Sequence, residues 1–460
     1  MVKQEFFPVL RFMDQFDLFV IGGGSAGVRA ARMAAGLGAK VALAESGPLG
    51  GTCVNVGCIP KKLYSMAGHF RSDFEDAAGF GWRLGQVTFD WPTLRDNKTA
   101  EISRLNGIYQ SLLEKAGVTI LRGHARLVGP RQVSGNGQFF TARHVLIATG
   151  GRPLSPDFDG HELALVSDRI FDLPSLPKRL LILGAGYIGV EFAGIFAGLG
   201  VDTTLSWRSE LPLKGFDDDV RRHFTSELAK HCRLLPSTRI ASLQRASSGL
   251  LAHFADGGQW EGDQVLAATG RVANVAGLGL ETTGVTLAAN GTIAVDAHYR
   301  TTEPSIWAIG DVVGHKALTP VALAEAMVVV DQLFGDGKRP ALDYALVPTS
   351  VFSHPNVATV GLTEAEARSQ VGELAIYETD FRHLRHTLSG RNERTYIKVV
   401  VDARTDRVLG MHMVGADAGE IIQGFAAALV CGVTKRQLDQ AVGIHPTAAE
   451  EFVTLRTRSR

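Results

Sequence analysis

The sequence predicts an α/β fold with two doubly wound, Rossmann-like nucleotide-binding domains and a C-terminal α+β domain. Three observations support this prediction. A strand, a glycine turn and the start of a helix follow one another at residues 17–27, and the same order returns at residues 179–189. Each unit continues into a second strand and is closed later by an apolar strand that ends in Ala-Thr-Gly. Beyond residue 345, alternating and β-branched runs predict an antiparallel sheet with helices on one face.

The bulk composition argues against several functional classes. Lys plus Arg and Asp plus Glu both number 47, so no net charge draws the chain towards nucleic acid or a membrane surface. The apolar segment at residues 321–330 contains Glu325 and is too short to span a membrane. Four cysteines in 460 residues do not make a disulfide scaffold, which predicts a reducing compartment and a cytoplasmic protein. The residues before Asp14 are expected to form a loosely held extension.

A close cysteine pair is the most informative chemical feature of the chain. Cys53 and Cys58 lie in the segment Gly-Thr-Cys-Val-Asn-Val-Gly-Cys-Ile-Pro-Lys-Lys at residues 51–62, shortly after the first glycine turn. We expect a redox-active disulfide at the start of a helix, because a helix N-terminus favours a thiolate. The alternatives are a structural disulfide and half of a zinc site. Zinc would need two more ligands nearby, and Cys232 and Cys431 are isolated in the sequence, so we predict no metal site.

The first glycine turn is predicted to bind a dinucleotide. Its candidate residues are Gly22, Gly24, Ser25 and Gly27. Glu45 lies 18 residues after Gly27, where an acid accepts hydrogen bonds from an unphosphorylated ribose. FAD or NAD would suit this site, and FAD is favoured because a later strand ends in Gly-Asp at residues 310–311. Asp311 could hold a hydroxyl of a long cofactor, or it could cap the following helix.

The second glycine turn has a different predicted preference. Its candidate residues are Gly184, Gly186 and Gly189. The position 18 residues after the last glycine is Trp207, and the cations Arg208 and Lys214 follow it. Positive charge in place of the acid suits the 2′-phosphate of NADPH. The sequence therefore predicts NADPH rather than NADH at this site, with solvated loop charges as the alternative.

Longer segments of the chain resemble the pyridine nucleotide-disulfide oxidoreductases, and among them the glutathione reductases. The similarity runs from about residue 17 to residue 456. It is carried by the segments GGTCVNVGCIPKK, LGAGYIGVEFAG, AIGDV, LTPVALAEA, VPTSVFSHPNVATVGLTEAEA and GIHPTAAEEFVTLR. The resemblance implies an FAD domain at residues 1–151, an NADPH domain at 152–273, a central domain at 274–344 that completes the FAD site, and an interface domain at 345–460 that forms a homodimer.

The resemblance also implies how the cofactors are held and used. NADPH would deliver hydride to the flavin across a pocket lined by Lys61, Tyr187 and Glu191. Tyr187 would act as a lid, and Lys61 would pair with Glu191 beside the flavin. The further cofactor-binding residues that it implies are Thr52, Ala125, Thr149, Gly150, Gly270, Arg271, Gly310 and Thr319.

The same resemblance assigns roles in the reaction of the thiols. The reduced flavin would open the Cys53–Cys58 disulfide through Cys58, and Cys53 would attack the substrate disulfide. His445 of the other subunit, oriented by Glu450, would give a proton to the leaving thiol. This role is chemically reasonable, because histidine is the side chain whose ordinary pKa is close to 7.

Glutathione disulfide is the substrate that the resemblance implies. Ser25, Arg32 and Tyr109 match family positions that contact the tripeptide, and Arg32 offers a carboxylate a charged fork. Two positions depart from the pattern, since Met327 stands where some members carry Arg and Glu101 where some carry Tyr. Losing that Arg removes a possible carboxylate contact. We therefore predict a raised Michaelis constant for glutathione disulfide.

Several related functions stay open as alternatives. A reductase of another low-molecular-weight disulfide would use the same residues. Lipoamide dehydrogenases share the frame, but they typically use NAD and have Cys-Ile-Pro-Ser-Lys where this chain has Cys-Ile-Pro-Lys-Lys at residues 58–62. Mercuric reductases and the larger thioredoxin reductases carry a further redox pair near the C-terminus, whereas residues 456–460 contain no cysteine. A flavin-bearing scaffold protein would be expected to lose a cysteine of the pair or His445.

Overall fold

The computed structural model describes residues 12–247 and 249–460. The predicted extension before Asp14 falls on residues 1–11, which lie outside the described residues, and on Phe12 and Met13, which already belong to the first strand. The strands are β1 (Phe12–Ile21), β2 (Val41–Glu45), β3 (Thr119–Arg122), β4 (Ala125–Gly129), β5 (Gln132–Gly135), β6 (Gln138–Ile147), β7 (Gly151–Pro153), β8 (Leu165–Val166), β9 (Arg179–Leu183), β10 (Asp202–Ser206), β11 (Arg233–Leu235), β12 (Ile240–Ala246), β13 (Gly249–Phe254), β14 (Gln259–Gly262), β15 (Gln264–Ala267), β16 (Arg271–Ala273), β17 (Ile306–Ala308), β18 (Thr349–Val351), β19 (Val357–Gly361), β20 (Leu374–Arg382), β21 (Arg394–Asp402) and β22 (Val408–Val414).

The α-helices carry most of the side chains discussed below. They are α1 (Ser25–Gly36), α2 (Gly51–Asn55), α3 (Cys58–Ala77), α4 (Trp91–Lys115), α5 (Tyr187–Gly198), α6 (Asp218–Leu228), α7 (Thr319–Phe334), α8 (Glu364–Val371), α9 (Leu384–Ser389), α10 (Ala418–Val430), α11 (Lys435–Gln440) and α12 (Glu451–Thr454). Among the residues that the structure describes, no helix combines the length and the apolar character that crossing a membrane requires.

The first of two compact units consists of the chain up to Pro60 together with Lys98–Leu154 and Arg271–Leu342. Its main sheet has the strand order β3-β2-β1-β6-β5-β4, and β17 also pairs with β6. β1 runs parallel to β2 and β6, while β5 is antiparallel to both of its neighbours, β4 and β6. Residues of β1, α1 and α7 share one buried core. Burial on both faces accounts for the nearly continuous apolar sequence of a parallel strand such as β1.

The second compact unit consists of Lys61–Asn97, Ser155–Gly270 and Asp343–Arg460. Its parallel sheet has the order β11-β10-β9-β15-β8, and β12, β13 and β14 form a separate antiparallel sheet. A third sheet, with the order β18-β19-β22-β21-β20, is antiparallel throughout. Ile422 and Ala426 of α10 share a buried core with Met411 and Met413 of β22.

These sheets confirm the predicted fold class. The strands that precede the two glycine turns, β1 and β9, both run parallel to their neighbours on either side, and the region beyond residue 345 is an antiparallel sheet with helices packed on it. The first compact unit combines segments from the predicted first and third domains. The second combines most of the predicted second and fourth domains with residues 61–97 of the predicted first domain. The four domain boundaries themselves stay predictions.

Candidate active site

The two cysteines belong to the first unit and lie on consecutive helices, with Cys53 in α2 and Cys58 at the first position of α3. Both are free thiols, and their side chains are hydrogen-bonded to each other. The hydroxyl of Ser25 interacts with Cys53, and the Thr319 hydroxyl oxygen lies 3.8 Å from the Cys58 sulfur. The two cysteines that the sequence predicts as a redox pair therefore lie together, and Cys58 is at a helix start as predicted.

The surroundings of the cysteine pair shift the pKa of the Cys53 thiol. The hydrogen bond with Cys58 raises the pKa of the Cys53 thiol above its ordinary value, and burial raises it further. The hydrogen bond and the burial therefore both disfavour the thiolate form of Cys53. Cys53 keeps its proton, so its attack on a disulfide requires a base.

An asparagine pair holds the segment that contains Cys53. The Asn55 side-chain amide donates to the Gly51 carbonyl oxygen at 2.9 Å. The Asn106 amide of α4 donates to Asn55 Oδ1 at 2.9 Å and to the Leu49 carbonyl oxygen at 2.7 Å. The sequence analysis missed this connection, because no local pattern relates residue 106 to residue 55. The polar side chain on an otherwise amphipathic helix was the only available signal.

The first glycine turn borders a cavity of about 520 Å³. Gly22 has a φ of 110°, and a Cβ at Gly27 would lie 1.9 Å from the Gly22 carbonyl oxygen, so neither position accepts a side chain without backbone movement. The Glu45 carboxylate accepts hydrogen bonds from the backbone N–H groups of Gly23 and Gly47 at 2.6 and 2.7 Å. The predicted residues that line the cavity are Gly22, Glu45, Ala125 and Thr149.

Further predicted residues surround the other end of this turn. Gly24 is the N-cap of α1, Gly150 has a φ of 67°, and Thr319 begins α7. The Thr149 hydroxyl donates to the Asn274 carbonyl oxygen at 2.8 Å. Glu325, which the sequence analysis did not assign to the site, holds Gly310: the Gly310 backbone N–H donates to this fully buried carboxylate at 2.6 Å.

Asp311 lies in a short 3₁₀ helix, Gly310–Val313, that has no side-chain cap. The alternative that Asp311 caps a helix is therefore not seen. Burial raises the pKa of Asp311, and the charge of Arg271 opposes that rise. Arg271 Nη2 lies 2.6 Å from the Gly151 carbonyl oxygen and 3.5 Å from the Thr52 hydroxyl. The structure thus brings Arg271 close to both Thr52 and Asp311.

The second unit repeats the glycine turn. Gly184 has a φ of 101°, and a Cβ at Gly189 would lie 1.8 Å from the Gly184 carbonyl oxygen. Gly186 is the N-cap of α5, which begins at Tyr187. Gly270, with a φ of 145°, lies in the loop that follows β15. These glycines reproduce the backbone requirements of the first turn.

The end of the second strand differs from its counterpart. Trp207 is buried there, while Arg208 and Lys214 are exposed. Over residues 12–247 and 249–460, neither cation has a hydrogen-bond or ion-pair partner for its side chain. Both are therefore available to an anionic ligand.

A buried ion pair joins Lys61 to Glu191. Lys61 Nζ lies 2.6 Å from a Glu191 carboxylate oxygen, which also accepts from the Phe352 backbone N–H at 2.9 Å. Burial raises the pKa of Glu191, and Lys61 counteracts that rise. Lys61 also lies 4.2 Å from the centre of the Phe352 ring. Tyr187, at the start of the helix that carries Glu191, is 44% exposed.

His445 and Glu450 form a hydrogen-bonded pair near the C-terminus. His445 Nδ1 lies 3.0 Å from one Glu450 carboxylate oxygen and 3.2 Å from the other. The His445 side chain is 82% exposed, whereas Glu450 is 17% exposed. The Glu450 backbone N–H donates to the Thr447 hydroxyl at 3.3 Å. A carboxylate bound to Nδ1 leaves Nε2 as the ring atom that is free to exchange a proton with a ligand.

The predicted substrate residues lie on α1 and α4. Ser25 begins α1, and Arg32 lies two turns further along the same helix. Tyr109 lies on α4 and is half-buried. Glu101 is held by Arg104 through two hydrogen bonds at 2.6 and 2.7 Å. Met327 is half-buried on α7.

Comparison with known proteins identifies the family to which this chain belongs. Residues 16–326 match the profile of the pyridine nucleotide-disulphide oxidoreductases, and residues 347–456 match the dimerisation domain of the same family. The chain belongs to the pyridine nucleotide-disulphide oxidoreductase family. The resemblance inferred from sequence segments is thereby confirmed, and the dimerisation domain supports a homodimer.

Individual relatives of this oxidoreductase carry a common name. It is 49% identical to a glutathione reductase of Burkholderia cepacia over 96% of this chain and 99% of the relative. It is 44% identical to a glutathione reductase of Nostoc sp. over the same shares. A chloroplastic/mitochondrial glutathione reductase of Pisum sativum is 43% identical over 97% of this chain and 83% of the relative.

Proposed function

We propose that this oxidoreductase is an NADPH-dependent flavoenzyme that reduces glutathione disulfide to two molecules of glutathione. The observation that carries the proposal is the hydrogen-bonded Cys53–Cys58 pair at the N-terminus of α3, in the same unit as the first dinucleotide turn. Relatives named glutathione reductase, at 42–49% identity, support glutathione disulfide as the substrate.

The residues present fit the two cofactors. The cavity beside Gly22 and Glu45 accepts the adenosine of FAD, with Glu45 on the ribose hydroxyls. Arg208 and Lys214 accept the 2′-phosphate of NADPH, because they are exposed cations at the end of the second strand. When bound, FAD supplies a carrier that takes a hydride from NADPH and passes an electron pair to a disulfide.

The thiols then carry out two exchange steps. The sulfur of Cys53 attacks glutathione disulfide, forming a mixed disulfide and releasing the first glutathione. The Cys58 thiolate attacks the Cys53 sulfur, releasing the second glutathione and re-forming the disulfide between the two cysteines. Each released thiolate takes one proton, so the two electrons that NADPH supplied leave as two thiols.

Proton transfer in these steps is assigned to His445. Cys53 holds its proton tightly, so a base is needed to start the exchange and an acid to finish it. The Glu450 carboxylate at Nδ1 orients the ring and leaves Nε2 for transfer. We assign this histidine to the partner subunit of a homodimer, in keeping with the dimerisation domain.

The Lys61–Glu191 pair and Tyr187 serve the cofactor side. Glu191 holds the Lys61 ammonium at 2.6 Å, and we assign this positive charge to the hydride-transfer half of the reaction. Tyr187 begins α5 beside the second glycine turn, where a partly exposed ring can move as NADPH enters. A cytoplasmic location suits this chemistry, because a reducing compartment supplies NADPH and leaves Cys232 and Cys431 as thiols.

Anaerobic NADPH oxidation by the purified flavoprotein tests the proposal. Oxidised glutathione, lipoamide, trypanothione and a blank are compared side by side. We expect fast turnover with oxidised glutathione alone. The Cys53→Ser variant should keep its bound flavin and lose disulfide reduction, whereas Cys431→Ser, which changes an exposed cysteine, should retain both. Flavin reduction without glutathione turnover would contradict the assigned substrate and retain the fold and cofactors.

A further inference from the structure

Two arginines of α1 lack partners in the described part of the chain. Arg29 and Arg32 are both half-buried, and α1 itself contains no acidic residue. Neither guanidinium forms a hydrogen bond or an ion pair with any residue in 12–247 or 249–460. Partly buried arginines are usually paired, because removing a charge from water costs free energy unless a counter-charge compensates it. An anionic ligand is the natural counter-charge for this pair.

The helix geometry directs both arginines to the face that meets the thiols. The Ser25 hydroxyl interacts with Cys53, and Arg29 and Arg32 follow Ser25 at positions i+4 and i+7 of the same helix. Residues with this spacing share one helix face. A rise of about 1.5 Å per residue sets Arg29 roughly 6 Å and Arg32 roughly 10 Å from Ser25 along the helix axis.

Tyr109, on another helix, provides separate support for the proximity of Cys53 to Arg29 and Arg32. Burial raises the pKa of the Tyr109 hydroxyl and charge on Cys53 raises it further, while Arg29 and Arg32 lower it. All three groups are therefore within electrostatic reach of one hydroxyl. Tyr109 also packs against the buried core that α1 shares with β1. The thiol, the phenol and both guanidiniums consequently converge on one site.

We infer that Arg29 is a second carboxylate-binding residue of the disulfide site, beside Arg32. This inference rests on the proposed function, since each half of glutathione disulfide carries carboxylates at both ends of its tripeptide. Arg29 supplies a positive charge that Met327 does not, and its guanidinium can bind a carboxylate through two parallel hydrogen bonds. It therefore contributes to substrate selection rather than to the exchange of thiols.

Steady-state kinetics of the holoenzyme test this assignment. The variants are Arg29→Ala, Arg29→Lys, Arg32→Ala and Arg131→Ala. The last removes an exposed arginine of the same unit whose side chain has no partner among the described residues. The substrates are oxidised glutathione and its full ester, in which the carboxylates at both ends of each tripeptide are blocked, and flavin absorbance verifies folding of each variant.

We expect Arg29→Ala to raise the Michaelis constant for oxidised glutathione by about tenfold or more, the range of a charge-assisted hydrogen bond. The turnover number should change less, and Arg29→Lys should recover part of the affinity. The Michaelis constant for the ester should differ little between Arg29→Ala and the unsubstituted enzyme. Arg131→Ala should leave every constant unchanged.

Two different failures are distinguishable. An unchanged Michaelis constant in Arg29→Ala, with normal turnover of oxidised glutathione by the unsubstituted enzyme, would overturn the role of Arg29 alone. An equal increase for the free and esterified substrates would also overturn it, because the effect would not depend on a carboxylate. No turnover of oxidised glutathione by the unsubstituted enzyme would overturn the proposed function, and the role of Arg29 with it.

Discussion

The two glycine turns of this chain have nearly identical backbones and different strand ends. A Cβ at Gly27 would lie 1.9 Å from the Gly22 carbonyl oxygen, and a Cβ at Gly189 would lie 1.8 Å from the Gly184 carbonyl oxygen. In both turns the first glycine has a positive φ, of 110° and 101°. The two turns therefore share a steric requirement, because the helix can approach the turn closely only where the residue has no Cβ.

The second strands then diverge in charge. The first ends at Glu45, whose carboxylate accepts two backbone N–H groups. The second ends beside a buried Trp207 and an exposed Arg208. The comparison predicts that the fold of the turn and the choice of nucleotide are separable, with the fold set by the glycines and the nucleotide by the residues at the strand end. Substitutions in the two units should therefore alter different steps of the reaction.

The largest expected effect comes from adding a methyl group to each turn. Gly27→Ala should abolish flavin binding, while Gly189→Ala should keep the flavin and raise the Michaelis constant for NADPH by about 100-fold or more, because backbone overlaps of this size cost several kcal/mol. Flavin content and NADPH kinetics measure the two outcomes. Gly107→Ala, a helical position with no atom within 4 Å of the added Cβ, is the matched control. Flavin loss in Gly189→Ala would remove the distinction between the turns.

A smaller effect is expected from the cations of the second strand end. The double variant Arg208→Ala/Lys214→Ala should raise the Michaelis constant for NADPH by about 10- to 100-fold, since a charge-assisted contact to the phosphate contributes roughly 1.5–3 kcal/mol in total. The constant for NADH should not change, because NADH lacks the 2′-phosphate. Arg245→Ala, another exposed arginine of the second unit, serves as the control. Equal losses with both nucleotides would show that these cations do not read the phosphate.

The asparagine connection in the first unit should have a more moderate effect. Asn106→Ala removes hydrogen bonds to Asn55 and Leu49, worth about 1 kcal/mol each, and should lower turnover with oxidised glutathione up to about tenfold. NADPH affinity should be unaffected, because that site belongs to the other unit. Ser103→Ala, which removes an exposed α4 hydroxyl that donates only to the Thr99 carbonyl oxygen, is the control. An altered Michaelis constant for NADPH would show that the units are not separable in this way.

The smallest effect is expected at Met327. Met327→Arg should lower the Michaelis constant for oxidised glutathione a few-fold, because it adds a carboxylate contact that the present chain lacks. Constants for NADPH should stay the same. Met327→Leu, which keeps an uncharged side chain of similar volume, is the matched control. No change in the constant for oxidised glutathione would contradict the prediction that this departure weakens substrate binding.

Local sequence patterns were sufficient to predict most of the fold and part of the candidate site. Gly22, Gly27, Gly184 and Gly189 identify their turns because the backbone there excludes side chains, and that requirement is visible in sequence. Cys58 was expected at a helix start, and α3 begins there. By contrast, Asn106 and Arg29 gave no local signal. The hydrogen-bond partners of Asn106 lie about 50 residues away in the sequence, at Leu49 and Asn55. Arg29 has no partner among the described residues, and its own helix contains no acid.

The sequence by itself determined the fold class, the family and the difference between the two nucleotide sites, since these depend on short-range spacing and on residue type. Only the tertiary structure decided which distant side chains meet. It paired Lys61 with Glu191 at 2.6 Å and brought the Thr319 hydroxyl within 3.8 Å of Cys58. It also left Arg29 without a counter-charge within the described residues, on the helix face that begins at Ser25. Such contacts join residues far apart in the chain, and their free energy depends on burial and geometry that composition and spacing do not contain.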